Sequence, residues 1–214
     1  MSLPKVLERI EQACSRVGRD PQGVRLVVVT KGQSVTEIRE QVLRFGSFPL
    51  GESRIQEALP KMDELTAEWH FVGPLQRNKA RFAVRFDLVH SLDSLRLAET
   101  VARKAVENGK VQPVLLELNL GREPQKHGLF EEELLEALAQ VQALQGLWVQ
   151  GLMTVAPFSE NPEAVRPIFA RLSRLADHYQ LPERSMGMSG DFEVAVEEGA
   201  TLVRVGRAIF EPDA

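Results

Sequence analysis

Leu26-Val27-Val28-Val29-Thr30-Lys31-Gly32 is the stretch that decides the fold. Five residues of strong strand preference meet a Gly/Ser break, after which Val35, Ile38, Val42 and Leu43 fall at helical spacing. The order is strand, turn, helix, and the strand has no polar face, as expected of one buried in a parallel sheet. Lys31 therefore stands at the carboxyl end of a buried strand, where open α/β sheets and α/β barrels keep their chemistry. Two readings of it stand: a side chain that snorkels to water, or an amine whose charged form is disfavoured by apolar neighbours, which makes a nucleophile for a carbonyl and hence for a Schiff base.

Working outward, the strand-then-helix pattern recurs at the size of a βα unit, about 20 to 25 residues. Strands are predicted at 25–30, 48–52, 68–72, 88–91, 113–119, 149–154, 184–188 and 202–206, and helices at 35–45, 55–65, 76–82, 94–108, 131–144, 162–179 and 192–198. A first helix precedes them, with the apolar stripe Leu3, Val6, Leu7, Ile10, Ala13, Cys14 and Val17 and stop signals at Gly18 and Pro21. Eight strands separated by helices argue for an α/β fold, a (β/α)8 TIM barrel whose extra N-terminal helix covers the outside near the last strand. A doubly wound open sheet is the alternative. No Pro/Gly/Ser-rich linker divides the chain, so a single domain over 1–214 is expected. The longest irregular segment, 120–128, follows a strand and belongs on the catalytic side. The strand-ending residues Lys31, Glu52, Ser91, Asn119, Thr154, Ser189 and Gly206 would ring one mouth.

Composition excludes several classes. With 43% apolar and 26% charged residues and a formal charge of -4, the chain has no global field for nucleic acid or an anionic membrane. The run Arg77, Lys79, Arg81, Arg85 reads as a solvated helix face, with no aromatic interleaving for base stacking. Cys14 is the single cysteine and reads as core packing, so no intrachain disulfide is expected. No basic n-region precedes an apolar h-region, and no stretch nears the ~18 apolar residues of a spanning helix, which makes the cytoplasm the default location; a monomer is expected. His127 and His178 match no zinc spacing, and no metal is expected. Glycine-rich dinucleotide, phosphate-loop and nucleophile-elbow signatures are missing.

Three segments remain that could carry chemistry. Ser185-Met186-Gly187-Met188-Ser189-Gly190-Asp191 leads from the seventh strand into a helix, with Ser189 or Asp191 placed to cap it. Such a helix start is either a plain N-cap or an anion site, and loops after strands seven and eight of a barrel often bind phosphate. Leu202-Val203-Arg204-Val205-Gly206-Arg207 carries one arginine inside a buried strand. That guanidinium needs partners, either a carboxylate such as Glu52 or Glu117 or a ligand, and the N–H groups of Gly206 and Arg207 could complete a phosphate cradle. Trp69 to Lys79 joins a third strand to a polar turn, and His70 reads more readily as a satisfied core histidine than as a catalytic one.

Taken in order, Val27-Val28-Val29-Thr30-Lys31, Gly51-Glu52, Trp69-His70-Phe71-Val72-Gly73-Pro74-Leu75-Gln76-Arg77-Asn78-Lys79, Ser91-Leu92-Asp93-Ser94, Asn119, Lys126-His127-Gly128, Gly151-Leu152-Met153-Thr154, the Ser185 to Asp191 segment and Val203-Arg204-Val205-Gly206 resemble the pyridoxal phosphate (PLP) homeostasis protein family, relatives of the N-terminal barrel of alanine racemases. The resemblance spans nearly the whole chain. It implies that Lys31 is the internal aldimine lysine, that Ser189, Gly206 and the N–H of Arg207 hold the cofactor phosphate, and that Arg204 faces the pyridine nitrogen. Where the family has Gly-Glu-Asn-Tyr, this chain has Gly51-Glu52-Ser53-Arg54, which puts Ser53 beside the cofactor in place of an amide. Arg207 stands where the family often has threonine or serine, and the tail beyond Phe210 departs from the usual ending.

The arginine decides the functional expectation. An acidic partner keeps the pyridine nitrogen protonated and the ring a strong electron sink, whereas arginine cannot accept that proton. The racemases add a tyrosine from a C-terminal domain, which this chain is not expected to have, and its single tyrosine, Tyr179, falls in a predicted helix. The expectation is a carrier or regulator of PLP in vitamin B6 homeostasis, not an enzyme, with amino or keto acids and PLP-dependent apoenzymes as further partners. The alternatives are a racemase or lyase of low activity with His70 as second base, and a barrel for a phosphate ligand held without a covalent bond.

Overall fold

The computed structural model describes residues 1–211. The apolar runs become eight parallel strands: β1 (Arg25–Val29), β2 (Leu50–Glu52), β3 (Trp69–Phe71), β4 (Leu88–Leu92), β5 (Gln112–Leu118), β6 (Leu147–Thr154), β7 (Glu183–Ser185) and β8 (Leu202–Val205). They pair in sequence order, and β8 returns to β1 with Val27 opposite Arg204 and Val28 opposite Val205, closing the barrel. The predicted α/β barrel is the observed fold.

Strand alternation sends side chains into two separate cores. Val27, Leu88, Leu115, Met153 and Leu202 pack together inside the barrel, whereas Leu26, Val28, Leu50, Val89, Val114, Leu152 and Val203 join the larger cluster beneath the helices. Full burial of one such side chain contributes about 1.5–3 kcal/mol, which is why the strands read as continuous apolar runs.

The helices are α1 (Leu3–Arg16), α2 (Val35–Gln41), α3 (Ile55–Glu64), α4 (Leu95–Glu107), α5 (Leu134–Gln142), α6 (Arg166–His178), α7 (Phe192–Glu197) and α8 (Arg207–Phe210). Ser34 and Glu37 start α2 with a reciprocal capping box. The first helix packs its buried stripe of Leu3, Val6, Ile10, Ala13 and Cys14 against α7 and α8, as the stripe predicts, and Arg16 pairs with Glu197 at 2.5 Å and Glu193 at 2.9 Å. Exposed pairs of that kind contribute only ~0–1 kcal/mol, so the stripe does most to hold α1 in place.

Several predicted boundaries move. The helix expected at 76–82 is a 3-10 helix over Arg77–Arg85, and those at 131–144 and 162–179 open with 3-10 turns over Glu131–Glu133 and Pro162–Val165. The helix expected at 35–45 breaks at Val42 and finishes as a 3-10 turn over Leu43–Phe45. The seventh strand stops at Ser185 instead of Met188 because Gly187 turns the chain at φ 89°, and a Cβ there would sit 2.5 Å from the Ala195 side chain on α7. Among the described residues no helix is long and apolar enough to cross a membrane.

Candidate functional site

Lys31 lies two residues past β1, on an exposed turn at the carboxyl end of the barrel. Gln33 N–H donates to Thr30 O at 3.0 Å, and Gly32, at φ 76°, donates its N–H to Glu57 Oε2 on α3 at 3.0 Å. That N–H holds the Glu57 carboxyl below the usual carboxylate range, and Arg54 Nη1 adds a bond to Glu57 Oε1 at 3.0 Å. The α3 helix therefore grips the turn that presents the lysine. Of the two readings of this amine, the structure shows the side chain that reaches water and not the one enclosed by apolar neighbours: it stands exposed at the rim of a cavity.

That cavity has a volume of about 760 Å³ and is lined by Lys31, Lys126, Ser189, Arg204, Gly206 and Arg207, with Val29, Val72, Val155 and Phe158 as apolar walls. The size is within the ~300–1,000 Å³ of small-molecule sites. Five of the six predicted binding residues are thereby brought together. The sixth, Ser53, lines a neighbouring cavity of about 420 Å³ with Gln76, Lys79, Asp93 and His127, and Arg54 borders both. The ring of strand ends is incomplete in another way: Glu52 turns outward, where Lys61 Nζ donates to its Oε1 at 2.5 Å and Thr30 Oγ1 donates to the same atom at 2.7 Å.

The loop after β7 closes one side. Asp191 occupies the N-cap position of α7 without capping it; its Oδ1 accepts from Met188 N at 2.6 Å, and burial pushes its carboxyl up. Ser189 Oγ accepts from Ala208 N at 3.2 Å, so it is tied to the first turn of α8 and not to α7 as the sequence suggests. A hydroxyl and the backbone of residues 206–208 are thus set side by side. Gly206 permits it, because a Cβ there would meet Val29 O at 2.8 Å. Gly206→Ala is expected to push β8 off the end of β1, lowering stability by about 1–3 kcal/mol in urea denaturation; an unchanged midpoint would mean the backbone yields freely.

Arg204 forms the floor, 4% exposed. Its Nη1 donates to Ser185 Oγ at 2.5 Å and its Nη2 to Thr154 O at 2.9 Å. The ion pair with Glu52 considered from the sequence does not form, since Lys61 holds that carboxylate. Glu117 attracts the guanidinium through space, but burial outweighs it and brings the arginine pKa down to about 10. Burial, with Asp93 adding to it, pushes the Glu117 carboxyl up to about 7.

The raised carboxyl has a pH consequence. Between its unfolded value, near 4.5, and about 7, the folded protein holds a proton on Glu117 that the unfolded chain lacks. The resulting stability is complete below the unfolded value and is lost as pH rises through the folded one. Glu117→Gln should therefore raise stability by roughly 1–3 kcal/mol at pH 8 and change little at pH 5. Urea melts at the two pH values check this, and an equal effect at both would contradict it.

His70 is fully buried with both ring nitrogens engaged: Nε2 lies 2.7 Å from Glu68 Oε1 and Nδ1 3.0 Å from His90 Nε2. It does not line the cavity, which fits the satisfied core histidine. His90 is not singled out by the sequence, although alternation in Leu88-Val89-His90 places it on the same inward face as Leu88, and Ser185 enters there only as the first residue of the segment leading to Asp191. Lys126, in the 120–128 segment, does reach the mouth, where its Nζ donates to Ala156 O at 2.9 Å and pairs with Glu123. His127 Nδ1 lies 3.3 Å from Asp93 Oδ2. Among the described residues no three His, Cys, Asp or Glu side chains converge as a metal site would require.

Comparison with known proteins bears on this geometry. Residues 2–212 match the family model described as alanine racemase, N-terminal domain. The chain is 48% identical to the pyridoxal phosphate homeostasis protein of Deinococcus radiodurans, over 98% of this chain and 100% of that one, and 44% identical to its namesake from Aquifex aeolicus, over 97% and 95%. It is also similar to the solved structure of PipY from Synechococcus elongatus with PLP bound, at a TM-score of 0.79 and 35% identity, over 94% of this chain and 99% of that one. A closed eight-stranded barrel and full-length identity of this order lead to one assignment: the chain belongs to the pyridoxal phosphate homeostasis protein family, built on the alanine racemase N-terminal barrel.

Proposed function

We propose that this protein binds PLP in the 760 Å³ cavity as a carrier or regulator in vitamin B6 homeostasis, with little or no turnover of its own. The observation that carries the reading is the convergence of Lys31, Ser189, Arg204, Gly206 and Arg207 on that one cavity. An amine, a hydroxyl beside close-approach backbone and a buried guanidinium are the three functions that the aldehyde, phosphate and ring nitrogen of PLP require. PLP supplies an electrophilic aldehyde when bound; Lys31 attaches it as a Schiff base, releasing water. Ser189 Oγ, Gly206 and the N–H of Arg207 hold the phosphate, and Arg204 donates toward the ring nitrogen and leaves it without a proton. Ser53, in the neighbouring cavity, bears on the site only through its neighbour Arg54.

The carrier reading is favoured over the racemase or lyase reading by His70, which is consumed by Glu68 and His90, and by Tyr179, which ends α6 and packs in the outer core. We place a single barrel domain over 1–214, acting as a monomer in the cytoplasm and handing PLP to apoenzymes. Purified protein given PLP should develop an absorbance band that borohydride bleaches while fixing a pyridoxyl group on Lys31, detected by peptide mass spectrometry. PLP that binds yet leaves Lys31 unmodified would favour the non-covalent phosphate barrel. Loss of optical purity from single-enantiomer amino acids, at many turnovers per protein, would favour the enzyme.

A further inference from the structure

A line of buried polar groups runs down the barrel axis from the cavity to the opposite face. Arg204 Nη1 meets Ser185 Oγ at 2.5 Å, Ser185 Oγ meets His90 Nδ1 at 2.8 Å, His90 Nε2 meets His70 Nδ1 at 3.0 Å, and His70 Nε2 meets Glu68 Oε1 at 2.7 Å. Ser185, His90 and His70 have no solvent exposure, whereas Glu68 is part exposed and also held by Arg25 Nη1 at 3.1 Å. The two ends have fixed characters, since a guanidinium only donates and a carboxylate only accepts.

Those ends set the direction of everything between them. Ser185 accepts from Arg204, and the acceptor within reach of its own hydroxyl proton is His90 Nδ1. His90 then carries its proton on Nε2 and gives it to His70 Nδ1, and His70 carries its own on Nε2, facing Glu68. The reverse order would put protons on both nitrogens of His70 and leave the Ser185 hydroxyl proton unused in a dry interior, a cost of about 1–3 kcal/mol for the unpaired group alone. Burial also holds the His90 imidazole well below its ordinary pKa, with His70 and Arg204 opposing its charge in the same sense.

Resting on the PLP reading above, we propose that Glu68, His70, His90 and Ser185 form a one-directional hydrogen-bond chain that fixes the Arg204 guanidinium as the donor facing the PLP ring nitrogen. His90 and His70 are then positioning residues, which act on the ligand through Arg204. No proton moves along the chain; its order keeps Ser185 an acceptor toward Arg204. Two of the five guanidinium N–H groups are engaged by Ser185 and Thr154, and the Ser185 bond keeps the rest from turning away from the cavity.

The test begins without PLP. In the histidine-15N-labelled apoprotein at neutral pH, long-range 1H–15N correlation should show His70 and His90 as neutral rings protonated on Nε2. A proton on Nδ1 of either ring, or an imidazolium at His70, overturns the bond directions. PLP affinity by equilibrium dialysis supplies the second arm. His90→Phe ends the chain and should weaken binding roughly tenfold, the scale of a lost hydrogen bond to a charged group. His90→Gln, whose carboxamide both accepts and donates, should restore affinity to within about threefold of the parent. Equal affinity in the parent, His90→Phe and His90→Gln proteins overturns the positioning role. If His90→Phe does not fold, a loss of roughly tenfold in a folded His90→Gln, against the parent, overturns it. A parent that binds no PLP while both rings carry the Nε2 proton overturns the PLP reading and leaves the bond directions standing.

Discussion

Lys31→Ala is expected to abolish the borohydride-fixable absorbance band completely while leaving the fold in place. The two halves of that expectation have separate physical grounds. Covalent attachment needs an amine at the cavity rim, and Lys126, the other lysine there, has its Nζ committed to Ala156 O and Glu123. Stability, in contrast, depends little on an exposed side chain at the end of a strand, and substitutions of that kind fall within about 0.5 kcal/mol. The turn itself is built by Gly32, Gln33 and Glu57, none of which uses the lysine side chain. Excess PLP should raise the parent melting temperature by linkage, on the order of 2.7 kcal/mol at one hundred times Kd, and that gain should shrink sharply in the variant. Lys31→Arg separates charge from chemistry: it keeps a cation at the rim but cannot form the Schiff base, so it should retain part of the linkage effect and none of the fixed label. An undiminished band in Lys31→Ala would remove Lys31 from the site.

The barrel was legible in the sequence because burial on both faces of a strand is written locally, in runs such as Val27-Val28-Val29 and Leu115-Leu116-Glu117-Leu118. Lys31, Ser189 and Gly206 are legible for a related reason, since strand ends in a closed barrel share one mouth whatever their separation in the chain, whereas Arg204 stands out as the one charge inside its buried strand. What could not be read is pairing across the barrel. Glu52 and Glu117 are equal candidates for Arg204 from the sequence, and neither forms an ion pair with it: Lys61, delivered by α3, holds Glu52 from outside, and the guanidinium bonds instead to Ser185 Oγ and Thr154 O. The sequence offers Ser189 or Asp191 as cap of the helix that follows, but the Ser189 hydrogen bond goes to α8, nineteen residues on. His90 looked like an ordinary strand residue because its partners, His70 and Ser185, lie 20 and 95 residues away. The 3-10 turns over Glu131–Glu133 and Pro162–Val165 were read as helix because apolar spacing registers periodicity and not the tightness of the first turn.

Arg204→Ala should be the most destabilising change at the site, at about 3–5 kcal/mol. It leaves a cavity in the barrel floor and removes the donor from Thr154 O and Ser185 Oγ, both buried. It also strips Glu117 of the cation that opposes its desolvation, so that carboxyl should rise further above 7. Part of the cost is offset, because the guanidinium is itself poorly solvated, as its lowered pKa shows. Arg204→Met isolates that offset: it fills most of the volume, carries no charge into the interior and should cost less than the alanine variant. The two should nevertheless lose PLP to the same extent, since neither offers an N–H to the ring nitrogen. Urea denaturation of the apoproteins gives the first ordering and PLP dissociation rates give the second. A methionine variant that recovers stability without recovering PLP retention means that the donors of Arg204 serve the ligand, apart from what its volume contributes to the fold. Retention that tracks stability instead would make Arg204 a structural residue, and the donor to the ring nitrogen would have to be sought elsewhere.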